Sequence, residues 1–168
     1  MMKNDISRIG FGTSDIASLG KSISYQKAKK ILSTALEYDI YTIDTSDAYG
    51  SGDAEKLIGK LIRGERGKFF IISKTGLPVL NLPSFLSPLN QIGKKLKTLS
   101  GFKKKFDKKY IVSSIENSLK RLKVEYLDAY LLHDLNKEDI IKYNDECFEA
   151  LYLIKKKGLS RFIGVSTN

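Results

Sequence analysis

The sequence holds one cysteine, Cys147, which excludes an internal disulfide. No apolar run approaches the ~20 residues that a bilayer-spanning helix needs. The opening residues Met1, Met2, Lys3, Asn4 and Asp5 are not followed by a signal-type apolar stretch. A cytoplasmic protein is therefore expected. Proline is confined to Pro78, Pro83 and Pro88, and histidine to His133. Complete phosphate loops are missing too. Gly10-Phe11-Gly12 has no third glycine at the dinucleotide-fingerprint offset, and Gly50-Ser51-Gly52 has no Walker lysine.

What is present fits one globular domain of 168 residues, 42% hydrophobic and 29% charged. The net charge of +10 is compatible with nucleic acid, an anionic surface or an anionic ligand. Much of the excess is local. Lys94, Lys95, Lys97, Lys103, Lys104, Lys105, Lys108 and Lys109 are opposed over that stretch only by Asp107. A solvated loop is the plainer reading, because Phe102 and Phe106 interleave the lysines without resembling a stacking platform. Cys147, beside Phe148 on an expected helix, is assigned to packing.

Along the chain the hydrophobic period switches between strand-like and helix-like. Strands are predicted at 8–13, 40–44, 68–74, 126–132 and 161–166. Between them, Ala28, Ile31, Leu32, Ala35 and Leu36 fall on one helical face behind a Ser24 N-cap. Ala54, Leu57, Ile58, Leu61 and Ile62 repeat the spacing. Ile111, Ile115, Leu119 and Leu122 mark a third helix. A fourth is predicted from about Asp145 to Lys157, ended by Gly158. Residues 77–107 break the rhythm with the prolines and lysines and read as a long basic insertion loop, with a short helix near 92–96. Such alternation means a parallel sheet covered by helices. On pattern alone, a doubly wound open sheet and a (β/α)8 barrel both remain open.

Polar residues punctuate the strand ends. Asp44 ends the second, Lys74 the third, His133 the fourth and Ser166 the fifth, with Tyr49 just past the second. A parallel barrel would gather them on the rim where such folds place their active sites. Reducing a carbonyl requires a hydride at carbon and a proton at oxygen. A tyrosine can give the proton if a lysine cation stabilises the phenolate. A carboxylate can hold that lysine, and a histidine can orient the carbonyl oxygen. Each residue alone also has a bland role as a cap, a solvated lysine or a surface ring.

The segment Ile43-Asp44-Thr45-Ser46-Asp47-Ala48-Tyr49-Gly50 resembles the aldo-keto reductase segment that carries the catalytic Asp and Tyr. Ile71-Ile72-Ser73-Lys74 resembles the strand of the catalytic Lys, and Tyr130-Leu131-Leu132-His133 the strand ending in the catalytic His. The residues from Gly158 to Ser166 resemble the approach to the fifth strand. The resemblance spans nearly the whole chain outside the insertion and decides for the barrel: an α/β fold, a partial (β/α)8 TIM barrel of about five parallel strands and four to five helices.

The resemblance implies an NADPH-dependent oxidoreductase acting on an aldehyde or ketone. Tyr49 would be the general acid, Lys74 and Asp44 its tuners, and His133 the carbonyl-orienting residue. Gly12, Thr13, Asp44, Thr45, Ser166 and Asn168 would serve the NADP(H) cofactor. No metal is expected. The match is to the N-terminal half of the family's barrel only. The residues that grip the cofactor's pyrophosphate and adenosine phosphate come largely from the other half. A homo-oligomer or a complementary half-barrel chain is the expected partner beside a small carbonyl substrate. A truncated, inactive relic and a binding module of the same fold are the alternatives. Phe85 and Phe102 are candidates to line the substrate pocket.

Overall fold

Among the described residues strands and helices alternate along the chain. The computed structural model describes residues 6–16, 23–77, 79 and 103–167. Among these the order is β1 (Gly10–Gly12), α1 (Tyr25–Glu37), β2 (Thr42–Asp44), α2 (Asp53–Leu61), β3 (Phe70–Thr75), α3 (Lys108–Leu122), β4 (Leu127–His133), α4 (Lys137–Lys156) and β5 (Ser160–Ser166). All neighbouring strands are parallel, and their order in the sheet is their order in the chain. A doubly wound sheet reverses its strand order at a switch point. This sheet has no reversal, so it is a partial barrel.

The helices form where capping and apolar spacing agree. Ser24 accepts from the Lys27 amide, and Ala28, Leu32 and Ala35 are buried behind it. Asp107 caps α3 through the Tyr110 amide at 2.9 Å, and Ile111, Ile115, Leu119 and Leu122 turn inward. The fourth helix begins earlier than its apolar pattern suggests. It starts at Lys137, with Asn136 and Asp139 in a reciprocal capping box, and breaks at Asn144. The segment after the break is the one predicted from 145. Cys147 is fully buried there, as a packing residue. Helices α2 and α3 touch at Gly59, where a Cβ would lie 2.5 Å from the Leu122 carbonyl oxygen.

Side chains alternate between the two faces of a strand, so the register sorts the sheet. Ile43, Ile71, Tyr130 and Leu132 share the helix-covered face and are fully buried. Burying one such aliphatic side chain contributes roughly 1.5–3 kcal/mol. Gly12, Asp44, Lys74, His133 and Ser166 have the opposite parity and share the inner face. At the other end of the strands, the buried Asp128 carboxylate accepts from Arg66 at 2.6 Å, the Ile71 amide at 2.8 Å and Arg161 at 3.1 Å. This clamp ties β3, β4 and β5 together.

The end of the insertion is anchored. Phe106 is fully buried and packs edge-on to Tyr143 with ring centres 5.9 Å apart. Gly76, at φ +117°, makes room for it, since a Cβ there would lie 2.0 Å from the Phe106 ring. Lys104 pairs with Asp134 at 3.0 Å and Asp139 at 3.4 Å. One lysine of the basic run is thus neutralised locally. The expected helix near 92–96, Phe85, Phe102 and Asn168 lie outside the described residues. Among the described residues, no helix is long and apolar enough to cross a membrane.

Candidate active site at the C-terminal ends of the strands

β2 ends at Asp44, and the chain passes through Thr45–Ala48 into a tight 3-10 turn over Tyr49–Gly52. Gly50, Ser51 and Gly52 all adopt positive φ, which folds Tyr49 back over the strand ends. Lys74 on β3 is 5% exposed. Its ammonium is ion-paired with Asp44 and donates to the Thr45 carbonyl at 3.1 Å. The same nitrogen lies 5.3 Å from the centre of the Tyr49 ring. His133, at the end of β4, meets Tyr49 edge-on, with centroids 5.8 Å apart and planes at 81°. The structure thus brings Asp44, Tyr49, Lys74 and His133 together. Burial, then the Lys74 charge, lowers the His133 imidazole to about 4, so it is neutral at pH 7.

A polar layer lies behind this group. Ser46 is fully buried and shares a hydrogen bond with His133 Nδ1 at 3.1 Å. Its hydroxyl also lies 3.2 Å from the Lys74 carbonyl oxygen and 3.4 Å from Asp47 Oδ1. Asp47 accepts from Ser114 at 2.6 Å and Thr75 at 2.9 Å. Burial raises its carboxyl to about 6, against those hydrogen bonds. Glu55 on α2, fully buried, accepts from Ser73 at 2.6 Å and from Arg121 at 2.6 Å. Sequence reasoning singles out none of Ser46, Asp47, Glu55 or Arg121 as a site-building residue. Only their place beside the Asp44–Tyr49 motif or on α2 and α3 hinted at one.

The residues expected on the nucleotide side divide by parity. Gly12 is exposed at the end of β1, and a Cβ there would meet no atom of the described residues within 4 Å. Asp44 and Ser166 are part-exposed on the inner face. Thr13 and Thr45 have the other parity and are fully buried. The Thr13 hydroxyl donates to the Asp44 carbonyl at 3.0 Å, while the Thr45 hydroxyl oxygen has no hydrogen-bond partner among the described residues.

Residues 8–168 match the model of the aldo/keto reductase family. The chain belongs to this family. It is 32% identical over 165 residues to the aldo-keto reductase YhdN of Bacillus subtilis, covering 96% of this chain and 44% of that protein. It is 26% identical to L-galactose dehydrogenase of Arabidopsis thaliana, covering 96% of this chain and 44% of the relative. Among solved structures it superposes on aldo-keto reductase AKR11C1 of Bacillus halodurans in its holo form, at TM-score 0.74 and 27% identity over 96% of this chain and 46% of that one. An aldo-keto reductase of Klebsiella pneumoniae in complex with NADPH matches at TM-score 0.64 and 26% identity, over 97% of this chain and 46% of that one. The chain spans less than half the length of these curated family members.

Proposed function

We propose that this chain supplies the proton-donating half of an aldo-keto reductase site, which reduces an aldehyde or ketone with NADPH. The observation that carries the reading is Lys74, paired with Asp44 and set 5.3 Å from the Tyr49 ring. Tyr49 gives its phenolic proton to the carbonyl oxygen, and the Lys74 charge stabilises the phenolate left behind. Asp44 holds Lys74 in place. His133, neutral at pH 7, donates a hydrogen bond to the same carbonyl oxygen and orients it. The carbonyl carbon gains a hydride and its oxygen gains the Tyr49 proton, so an alcohol results.

The residues present fit part of a nicotinamide nucleotide. The open backbone at Gly12, the Asp44 carboxylate and the Ser166 hydroxyl remain accessible, with Asn168 as a further candidate beyond Ser166. Thr13 and Thr45 contribute from behind, by shaping the strand ends. When bound, the cofactor supplies the hydride. NADP(H) is favoured by the NADPH complex of the Klebsiella relative.

A complete site calls for further β/α units beside those described, whether from another copy of this chain, a complementary half-barrel or further residues of the same protein. Phe162 and Val165 on β5 are 51% and 46% exposed, and Ile9 before β1 is 63% exposed. Such apolar edges call for cover. The substrate is a small carbonyl compound. Lys105, whose amide donates to the Gly76 carbonyl just past β3 at 3.0 Å, brings positive charge to the rim. That favours an anionic carbonyl such as a phosphorylated or acidic sugar.

The test is a fluorescence titration with NADPH at several protein concentrations, followed by carbonyl-dependent NADPH oxidation. Saturable binding that tightens with protein concentration, together with turnover, supports the proposal. Absence of binding at every concentration would leave the tetrad as a remnant without a working site.

A further inference from the structure

We infer that Ser46 is a positioning residue: its buried hydroxyl donates to Nδ1 of His133 and so keeps the imidazole proton on Nε2. The catalytic meaning of this rests on the reductase reading, whereas the hydrogen bond itself does not.

The hydroxyl has one proton and a choice of acceptors. His133 Nδ1 is the nearest, at 3.1 Å. The Lys74 carbonyl oxygen, at 3.2 Å, already accepts from the Asp47 amide at 3.2 Å. Asp47 Oδ1, at 3.4 Å, is the farthest of the three; Ser114 and Thr75 donate to the other carboxylate oxygen. The Ala48 amide donates to the Ser46 oxygen at 3.2 Å, which fixes one lone pair and leaves the proton to point elsewhere. Among the described residues nothing else donates to Nδ1, and it is nearer than Asp47 Oδ1, whose 3.4 Å lies beyond the usual O–H···O range. Which ring nitrogen of a neutral histidine carries the proton is set by the hydrogen bond made by the other.

The consequence is chemical. An Nε2–H imidazole can donate to a carbonyl oxygen. With the proton on Nδ1, the exposed nitrogen would be a bare acceptor and could not. Ser46 follows Asp44 by two residues, so one segment carries the lysine's anchor, the histidine's partner and Tyr49.

Because His133 is the sole histidine of the chain, ¹⁵N NMR of histidine-labelled protein reads its tautomer without overlap, cofactor or turnover. The expected spectrum at pH 7 has a protonated Nε2 and a hydrogen-bonded, unprotonated Nδ1. A protonated Nδ1 would overturn the inference. In Ser46→Ala the Nδ1 resonance should move to that of an unbonded acceptor, and Ser46→Thr should restore it. An unchanged Nδ1 resonance in Ser46→Ala would also overturn it. Should that variant not fold, Ser46→Cys is the substitute. Its thiol is a weaker donor, and an intermediate Nδ1 shift is expected where an unmoved one refutes. The two readings fail separately: an Nε2–H histidine without turnover removes the reductase proposal alone, and turnover with an Nδ1–H histidine removes this one alone.

Discussion

The Lys74 ammonium lies 5.3 Å from the centre of the Tyr49 ring while paired with Asp44. A charge held there acts on the phenol whenever its proton leaves. Tyr49→Phe removes the proton and keeps the ring. Reduction should fall by at least ~10²-fold, the low end of what a positioned acid contributes. NADPH affinity in the same titration should change less than twofold. Wild-type turnover in Tyr49→Phe would reassign the donor.

Asp47 and His133 respond to pH in opposite senses. Burial raises the Asp47 carboxyl from 3.8 to about 6. Burial, then Lys74, lowers His133 from 6.5 to about 4. Unfolding between about pH 4 and 6 therefore releases a proton at one and takes one up at the other, and the two slopes offset. Asp47 weakens the fold as pH rises from 3.8 to about 6; His133 weakens it as pH falls from 6.5 to about 4. Asp47→Asn removes the first effect, gaining on the order of 3 kcal/mol at pH 7. Its stability should then rise with pH across this window. Urea unfolding at pH 4.5 and pH 7 measures the difference, and equal changes in wild type and variant would contradict the buried-acid account.

Gly59→Ala sets two effects against each other. Alanine favours a helix interior over glycine by about 1 kcal/mol. Its Cβ would lie 2.5 Å from the Leu122 carbonyl oxygen and 2.7 Å from that of Arg121. Both are backbone atoms, so two helices must separate, at a cost of roughly 1–3 kcal/mol. Net destabilisation is expected in chemical denaturation, against a gain if the contact relaxes freely.

Asp128→Ala should cost roughly 3–5 kcal/mol, because it strands Arg66, Arg161 and the Ile71 amide around a buried void. A shift in the denaturation midpoint corresponding to less than 1 kcal/mol would show that the clamp contributes little.

The alternation of elements and the rim residues were legible because each signal is local. Ser24 precedes its helix, Ala28–Leu36 carry the spacing, and Asp44, Lys74, His133 and Ser166 stand at strand ends. The start of α4 was obscured because its cap is an Asn136–Asp139 pair rather than Ser/Thr with Glu. The polar layer was hidden for another reason. Glu55 and Arg121 are 66 positions apart, and on a helical wheel each reads as a solvated charge. Thr13 and Thr45 carried a readable signal in their parity, which is opposite to that of Gly12 and Asp44 and turns them toward the helices.

The sequential strand order bears on synthesis. Each strand hydrogen-bonds to the one that precedes it in the chain, so every β/α unit leaving the ribosome meets its template already made. Pairing between near neighbours keeps loop closure short, and folding can advance one unit at a time. The Asp128 carboxylate is the exception to that rhythm. It is matched by Arg66 as soon as β4 docks, but its second guanidinium, Arg161, arrives only with the fifth strand. The fifth strand therefore locks the fourth in place.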